Sequence, residues 1–217
     1  AWRGRGDQRP TDPPAPSASE ANPTTPARAD KPSLAVLRFT SEQRAPVDVL
    51  VADGVSEEIS DRLARMPGML VLSVSATGPV LSRALAPRQA ANLLHANYVL
   101  SGRFDWIEGR LKVSAEMWEA RTGTRLWTKV FDRPWSGLYE IGDAIAVEVA
   151  SSLGTGAADR TERRSPPGFE AWLAYRQGLQ SKDSTKPEVV LSGRAMLEQA
   201  VLLAEGFAEA RVALADT

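Results

Sequence analysis

His95 is the chain's single histidine and the first residue to weigh for chemistry. General acid–base work needs a partner held within hydrogen-bond reach. Asn92 and Asn97 are its polar neighbours in sequence, and no G-x-S-x-G elbow supplies a nucleophile. His95 is therefore read as structural. Asp53-Gly54 with Glu57 and Glu58 has the carboxylates of a ligand or metal patch. The plainer account is that acidic residues in a first helical turn complement the dipole, while the glycine marks a close helix contact. Gly154-Thr155-Gly156 has the composition of a phosphate loop, but it follows a helical pattern and no lysine comes after it. Cysteine is absent, which removes thiol nucleophiles, disulfides and sulfur-ligated zinc. Metal binding also lacks spaced histidines. No catalytic residue, cofactor or metal ligand is assigned.

Composition narrows the classes further. The 217 residues carry a net charge of −1 with 24% charged side chains, so nothing favours nucleic acid or an anionic membrane surface. Hydrophobic residues make up 43%, ordinary for a folded protein. No run approaches the roughly 20 apolar residues needed to cross a bilayer. A membrane anchor is expected only through a span upstream of Ala1.

The elements that would position any site are organised around Asn97 to Asp132. Tyr98, Leu100, Gly102, Phe104 and Trp106 alternate along one face, as do Leu111, Val113, Ala115 and Met117. In a third run Leu126 and Val130 oppose Trp127, Lys129 and Phe131. Period-two alternation predicts half-buried strands, and Glu108-Gly109 and Thr122-Gly123 supply the reversals between them. Three antiparallel strands follow, with everything before them expected to cover one face.

Upstream, Leu34 to Phe39 and Met69 to Val74 read as short buried parallel strands. From Pro46, the stripe Val51, Val55, Ile59, Leu63 and Met66 predicts a helix with Glu57, Glu58 and Asp61 towards solvent, closed by Pro67-Gly68. Pro87 opens a short helix through Ala90, Leu93 and Leu94. Ser136 is placed to cap another, Leu138 to Leu153. The order strand–helix–strand–helix–three strands–helix predicts an α/β fold. Its mixed sheet has about five strands, two from β-α-β crossovers and three from the meander, with about three helices and an α-helical repeat segment after them.

The domain plan is a disordered Pro/Ala-rich tether over 1–32, an αβ domain over 33–153, a linker over 154–168 and helical repeats over 169–217. Two sets of residues are candidates for binding. Trp118, Trp127 and Phe131 would form an aromatic interaction surface if they share the uncovered sheet face. Thr40, Ser73, Ser75 and Thr77 would line a small-molecule or nucleotide site at the carboxyl ends of the parallel strands. An end strand is also open to pairing with another chain.

Several spaced motifs carry a resemblance. Ala52-Asp53-Gly54-Val55-Ser56-Glu57-Glu58-Ile59 with Leu63-Ala64-Arg65-Met66-Pro67-Gly68 resembles the F-A-D-G-L/M-S/T-E-E-L/I run of TolB-like amino-terminal domains. Tyr98-Val99-Leu100-Ser101-Gly102 and Glu119-Ala120-Arg121-Thr122-Gly123-Thr124-Arg125-Leu126-Trp127 are similar to that family's later strand and hairpin. Tyr175-Arg176-Gln177-Gly178 and Leu197-Glu198-Gln199-Ala200 resemble the two helices of a tetratricopeptide repeat, and Phe207-Ala208-Glu209-Ala210 the start of the next. Gly193 stands where the repeat usually has alanine, at about 1 kcal/mol of helix propensity.

The resemblance implies a non-catalytic sensing or protein-interaction region of a membrane-tethered bacterial protein, of the adenylate cyclase-like or winged-helix regulator kind. The effector, a cyclase domain for instance, would lie upstream. A protein or peptide would bind through the repeat helices and the exposed sheet, with no nucleic acid on this part. The expected location is the periplasmic face of the inner membrane, with the cytoplasm the other option. Further repeats are expected after Thr217.

Overall fold

The computed structural model describes residues 31–41, 46–74, 85–155, 165–182 and 184–217. The stretch assigned to a tether, residues 1–30 above all, lies outside them, as do Ser75 and Thr77. Among the described residues there are five strands and six helices. These are β1 (Ser33–Val36), α1 (Pro46–Ala64), β2 (Leu70–Leu72), α2 (Pro87–Leu94), β3 (Tyr98–Ile107), β4 (Arg110–Glu119) and β5 (Thr124–Pro134), followed by α3 (Leu138–Leu153), α4 (Phe169–Lys182), α5 (Pro187–Leu203) and α6 (Ala208–Ala215). The strands make one mixed sheet in the order β2-β1-β3-β4-β5. β1 is parallel to both β2 and β3, and β3-β4-β5 is an antiparallel meander. The α/β class and mixed sheet read from the residue pattern are what the chain forms.

The alternation decides the core. Leu100 stands opposite Met117, Gly102 opposite Ala115, and Phe104 opposite Val113. All but the half-buried Gly102 are buried, together with Leu34, Val36 and the α1 stripe Val51, Val55, Ile59 and Leu63. Helix α3 adds Leu138, Ile141, Ile145 and Val149 to the same cluster. Each such side chain taken from water is worth about 1.5–3 kcal/mol.

The expectation that preceding elements all cover one face is corrected. Ala35, Leu37 and Val99 point to the opposite side, where Ala90, Ala91 and Ala96 of α2 and its C-terminal turn bury them. A parallel strand buried on both faces has apolar residues at consecutive positions, so the other side needs a cover too. Leu93 is not part of that cover and is exposed.

Two further local readings change. Ser136 does not cap α3; it sits in a 3₁₀ turn over Trp135–Gly137, and Gly137 holds the cap position without a side-chain bond. An added Cβ at Gly137 would lie 3.0 Å from the Arg133 side chain, so that space is taken. The reversal at Glu108-Gly109 has φ of 50° and 76°, so the non-glycine residue also adopts the left-handed form of a two-residue hairpin turn. His95 closes α2 in the same conformation, at φ 51°.

Candidate functional site

The carboxylates that offered a ligand patch are explained by what docks on them. They do not occupy a first helical turn: α1 begins at Pro46, and Asp48 is its only acidic first-turn residue. Asp53, Gly54 and Glu57 lie mid-helix, where the dipole has little effect. Their surroundings supply another reason. An added Cβ on Gly54 would lie 2.0 Å from Cζ2 and 2.7 Å from Cη2 of Trp172, a residue of α4. The indole therefore sits directly on the α1 backbone. Glu57 pairs with Arg176, one turn further along α4, and the Arg176 guanidinium lies 6.0 Å from the Trp172 ring centre. On the other flank, Asp53 Oδ1 is 2.7 Å from an Arg38 guanidinium nitrogen, a close ion pair without hydrogen-bond alignment. Burial raises the Asp53 carboxyl above its usual range, while Arg38 and Arg176 pull it back down. Ser56 is buried; its hydroxyl accepts the Phe39 N–H at 2.8 Å and donates to the Ala52 carbonyl.

An aromatic cluster completes the joint. Trp106 stacks on Phe169 at 4.6 Å, and Trp135 meets Phe169 edge-on at 5.0 Å and Trp172 at 4.8 Å. The Trp135 indole N–H donates to the Pro167 carbonyl at 2.8 Å. Sheet, α3 approach and first tail helix thus share one apolar joint, with each ring pair adding about 0.5–1.5 kcal/mol beyond area burial.

The tail beyond it is a helical hairpin. Ser181 approaches Gly193, Gly178 approaches Leu197, and Ala174 clusters with Ala200, so α4 and α5 run antiparallel. Gly178 and Gly193 touch backbone to backbone: an added Cβ on Gly193 would lie 2.5 Å from Ser181 Cβ and 3.1 Å from the Gly178 carbonyl. The cost in propensity at Gly193 therefore permits a closer crossing than alanine would. Leu191 and Leu202, three turns apart on one face of α5, are 67% and 81% exposed.

The aromatic residues proposed as one interaction surface are divided by the sheet. Trp127 and Phe131 stand opposite Met117 and Val113 on the face that α3 covers, and both are half-buried there. Trp118 pairs with Val99 and Arg125 on the other face and packs against the α2 side, with the Arg125 guanidinium 5.5 Å from its ring centre. Trp118 follows Met117 along β4 and so faces away from Trp127, which pairs with Met117. Apart from the exposed Ile107 and Val130, the rest of that open face is polar, with Asp105, Lys112 and Asp132 in one row and Ser101, Glu116 and Thr128 in another.

Of the strand-end candidates, Thr40 is exposed but held by its backbone. Its N–H donates to the Gly102 carbonyl, and its own carbonyl accepts the Phe104 N–H. Phe39 fills the space at this end, close against Gly102 and backed by α1. Ser73 is half-buried. Among the described residues no group of three or more His, Cys, Asp or Glu could hold a metal.

The residues that sequence reasoning missed are Arg38, Trp172 and Arg176. A glycine inside a helical stripe was the visible signal, but nothing along the chain says which aromatic it receives.

No family model matches the chain. It is 26% identical over 204 residues to putative adenylate cyclase 3 of Rhizobium meliloti (strain 1021), a match covering 91% of this chain and 34% of that relative. The chain thus spans about a third of that protein's length. Among solved structures, TolB from Acinetobacter baumannii aligns at a TM-score of 0.43 and 13% identity, over 58% of this chain and 30% of that one. A PelC dodecamer subunit from Paraburkholderia phytofirmans aligns at 0.39 and 21%, over 59% and 92%.

Proposed function

We propose that this chain is a non-catalytic protein-interaction region of a larger bacterial signalling protein. The observation that carries the reading is the helical tail. Its hairpin is fixed to the αβ domain by Trp172 on Gly54, yet it leaves Leu191 and Leu202 on one exposed face. Leucines left uncovered on one face of a packed helix give a partner, or a next repeat, apolar surface to bury. The relative named as a putative adenylate cyclase, three times as long, supports a place beside a signalling domain. In this reading the hairpin is the first unit of a tetratricopeptide-type array, and the αβ domain is a sensing or scaffolding platform tethered on the periplasmic side of the inner membrane. No helix among the described residues is long and apolar enough to cross a membrane, so the tether would be a segment outside them.

The test is comparative cross-linking in cells of the wild type and a Leu191→Glu/Leu202→Glu variant. The expected result is a discrete partner adduct present in the first and lost in the second, with unchanged circular dichroism. Identical adducts in both would sink the assignment of this face.

A further inference from the structure

The sheet ends on two unlike edges. β2 is three residues long and offers little to pair with. β5 runs for eleven residues, nine of them exposed, and is the terminal strand of the sheet order. A long free edge presents a row of unpaired N–H and C=O groups, and proteins usually guard it with projecting charges, lysine above all. Here the charges stay about half exposed, but each has a partner of opposite sign within the chain. Arg125 pairs with Glu116 at 3.3 Å, Asp132 with Arg110 at 2.7 Å, Arg133 with Glu140 at 3.8 Å, and Lys129 with Glu148 on α3. Every ionic side chain of the strand is turned back onto its own chain, and the eight charges cancel. Among the described residues no strand lies beyond this edge, so beside the neutralised pairs it offers its backbone and Val130, 57% exposed on the open face.

We propose that β5 pairs antiparallel with β5 of a second copy of this chain, about a two-fold axis at Val130, so that two five-stranded sheets join as one. This rests on the protein-interaction reading and names one partner. The register follows from charge. A two-fold normal to the sheet brings residues of the same face together, so the axis passes through a residue. An axis at Lys129 sets two lysines face to face, one at Phe131 sets Lys129 against Arg133, and one at Asp132 sets two aspartates together. An axis at Thr128 draws in Leu126, the extra residue where Met117 pairs Trp127 but Trp118 pairs Arg125. At Val130 the pairs become Val130 with Val130, Thr128 with Asp132, Lys129 with Phe131, and Trp127 with Arg133. These are a β-branched pair, a pair able to hydrogen-bond and two pairs that lay a basic side chain's apolar stem against an aromatic ring, with no like charges opposed.

The chain has no cysteine, so a Val130→Cys variant carries one thiol. Opposed Cβ atoms about 4.5–5.5 Å apart are within reach of a disulfide after small adjustment. Mild oxidation should link Val130→Cys into a dimer, while a Leu191→Cys control on the helical tail stays monomeric. Sedimentation equilibrium should show wild-type dimer, weakened roughly tenfold or more in Val130→Lys, which opposes two ammonium groups across the axis. Wild type that stays monomeric up to about 1 mM overturns the proposal. So does a Val130→Cys yield no higher than the control, or a dimer indifferent to Val130→Lys. Those outcomes leave the Leu191 and Leu202 cross-linking untouched, so the two readings fail separately.

Discussion

Replacing Gly54 by alanine tests the joint between the αβ domain and its tail, because two known effects oppose each other there. In an exposed helix interior, glycine to alanine is stabilising by about 0.8–1 kcal/mol. At Gly54 the new methyl group would lie 2.0 Å from Trp172 Cζ2, 2.7 Å from Cη2 and 3.1 Å from Cε2. The indole has little room to yield, with Trp135 and Phe169 packed against it. Overpacking of this kind costs about 1–3 kcal/mol, and if the tail undocks instead, loss of a buried tryptophan costs about 3–5 kcal/mol. The cheaper route sets the cost, so the expected sum for Gly54→Ala is a net loss of up to about 2 kcal/mol, read by urea denaturation with far-ultraviolet circular dichroism. Tryptophan emission should shift to the red as Trp172 gains water. Combining Gly54→Ala with Trp172→Ala removes the clash, and within that background the alanine should be neutral or stabilising by up to about 1 kcal/mol. The sign reversal across the cycle is the signature. If Gly54→Ala alone stabilises the protein, Trp172 does not rest on α1 and the reasoning is refuted.

Other consequences follow from the same geometry. Gly193→Ala should destabilise the tail despite its better propensity, because its methyl meets Ser181 Cβ at 2.5 Å; hydrogen exchange slowed in α4 and α5 would contradict this. His95 sits at φ 51°, so His95→Gly should raise stability by about 0.5–1 kcal/mol in chemical denaturation. Burial raises the Glu58 carboxyl above its ordinary 4.5, with Arg65 opposing, so the folded chain holds that proton more tightly than the unfolded one. Its ionisation therefore weakens folding above the raised value, and the penalty fades as pH falls towards 4.5. Thermal melts should show Glu58→Gln more stable than wild type at neutral pH, with the gap closing on acidification; a gap that widens would reverse the sign.

The sequence by itself determined the α/β class, the three-strand meander and the stripe of α1. These rest on periods of two and 3.6 residues that local backbone geometry imposes. It also located both hairpin reversals, since glycine there answers a local dihedral requirement. Tertiary structure alone decided that Trp118 and Trp127 face opposite sides. The register that sets Trp127 opposite Met117, the neighbour of Trp118 along β4, turns the two indoles to opposite faces, and nothing in the pattern announces that register. The same holds for Asp53, Gly54 and Glu57. Their spacing suits a helix start, a ligand patch or a docking face equally well, until Arg38 and Arg176 arrive from positions 15 before and 119 after their partners. Local conformation is set by neighbours in the chain, whereas a side chain's role is set by neighbours in space, which closure of the fold supplies.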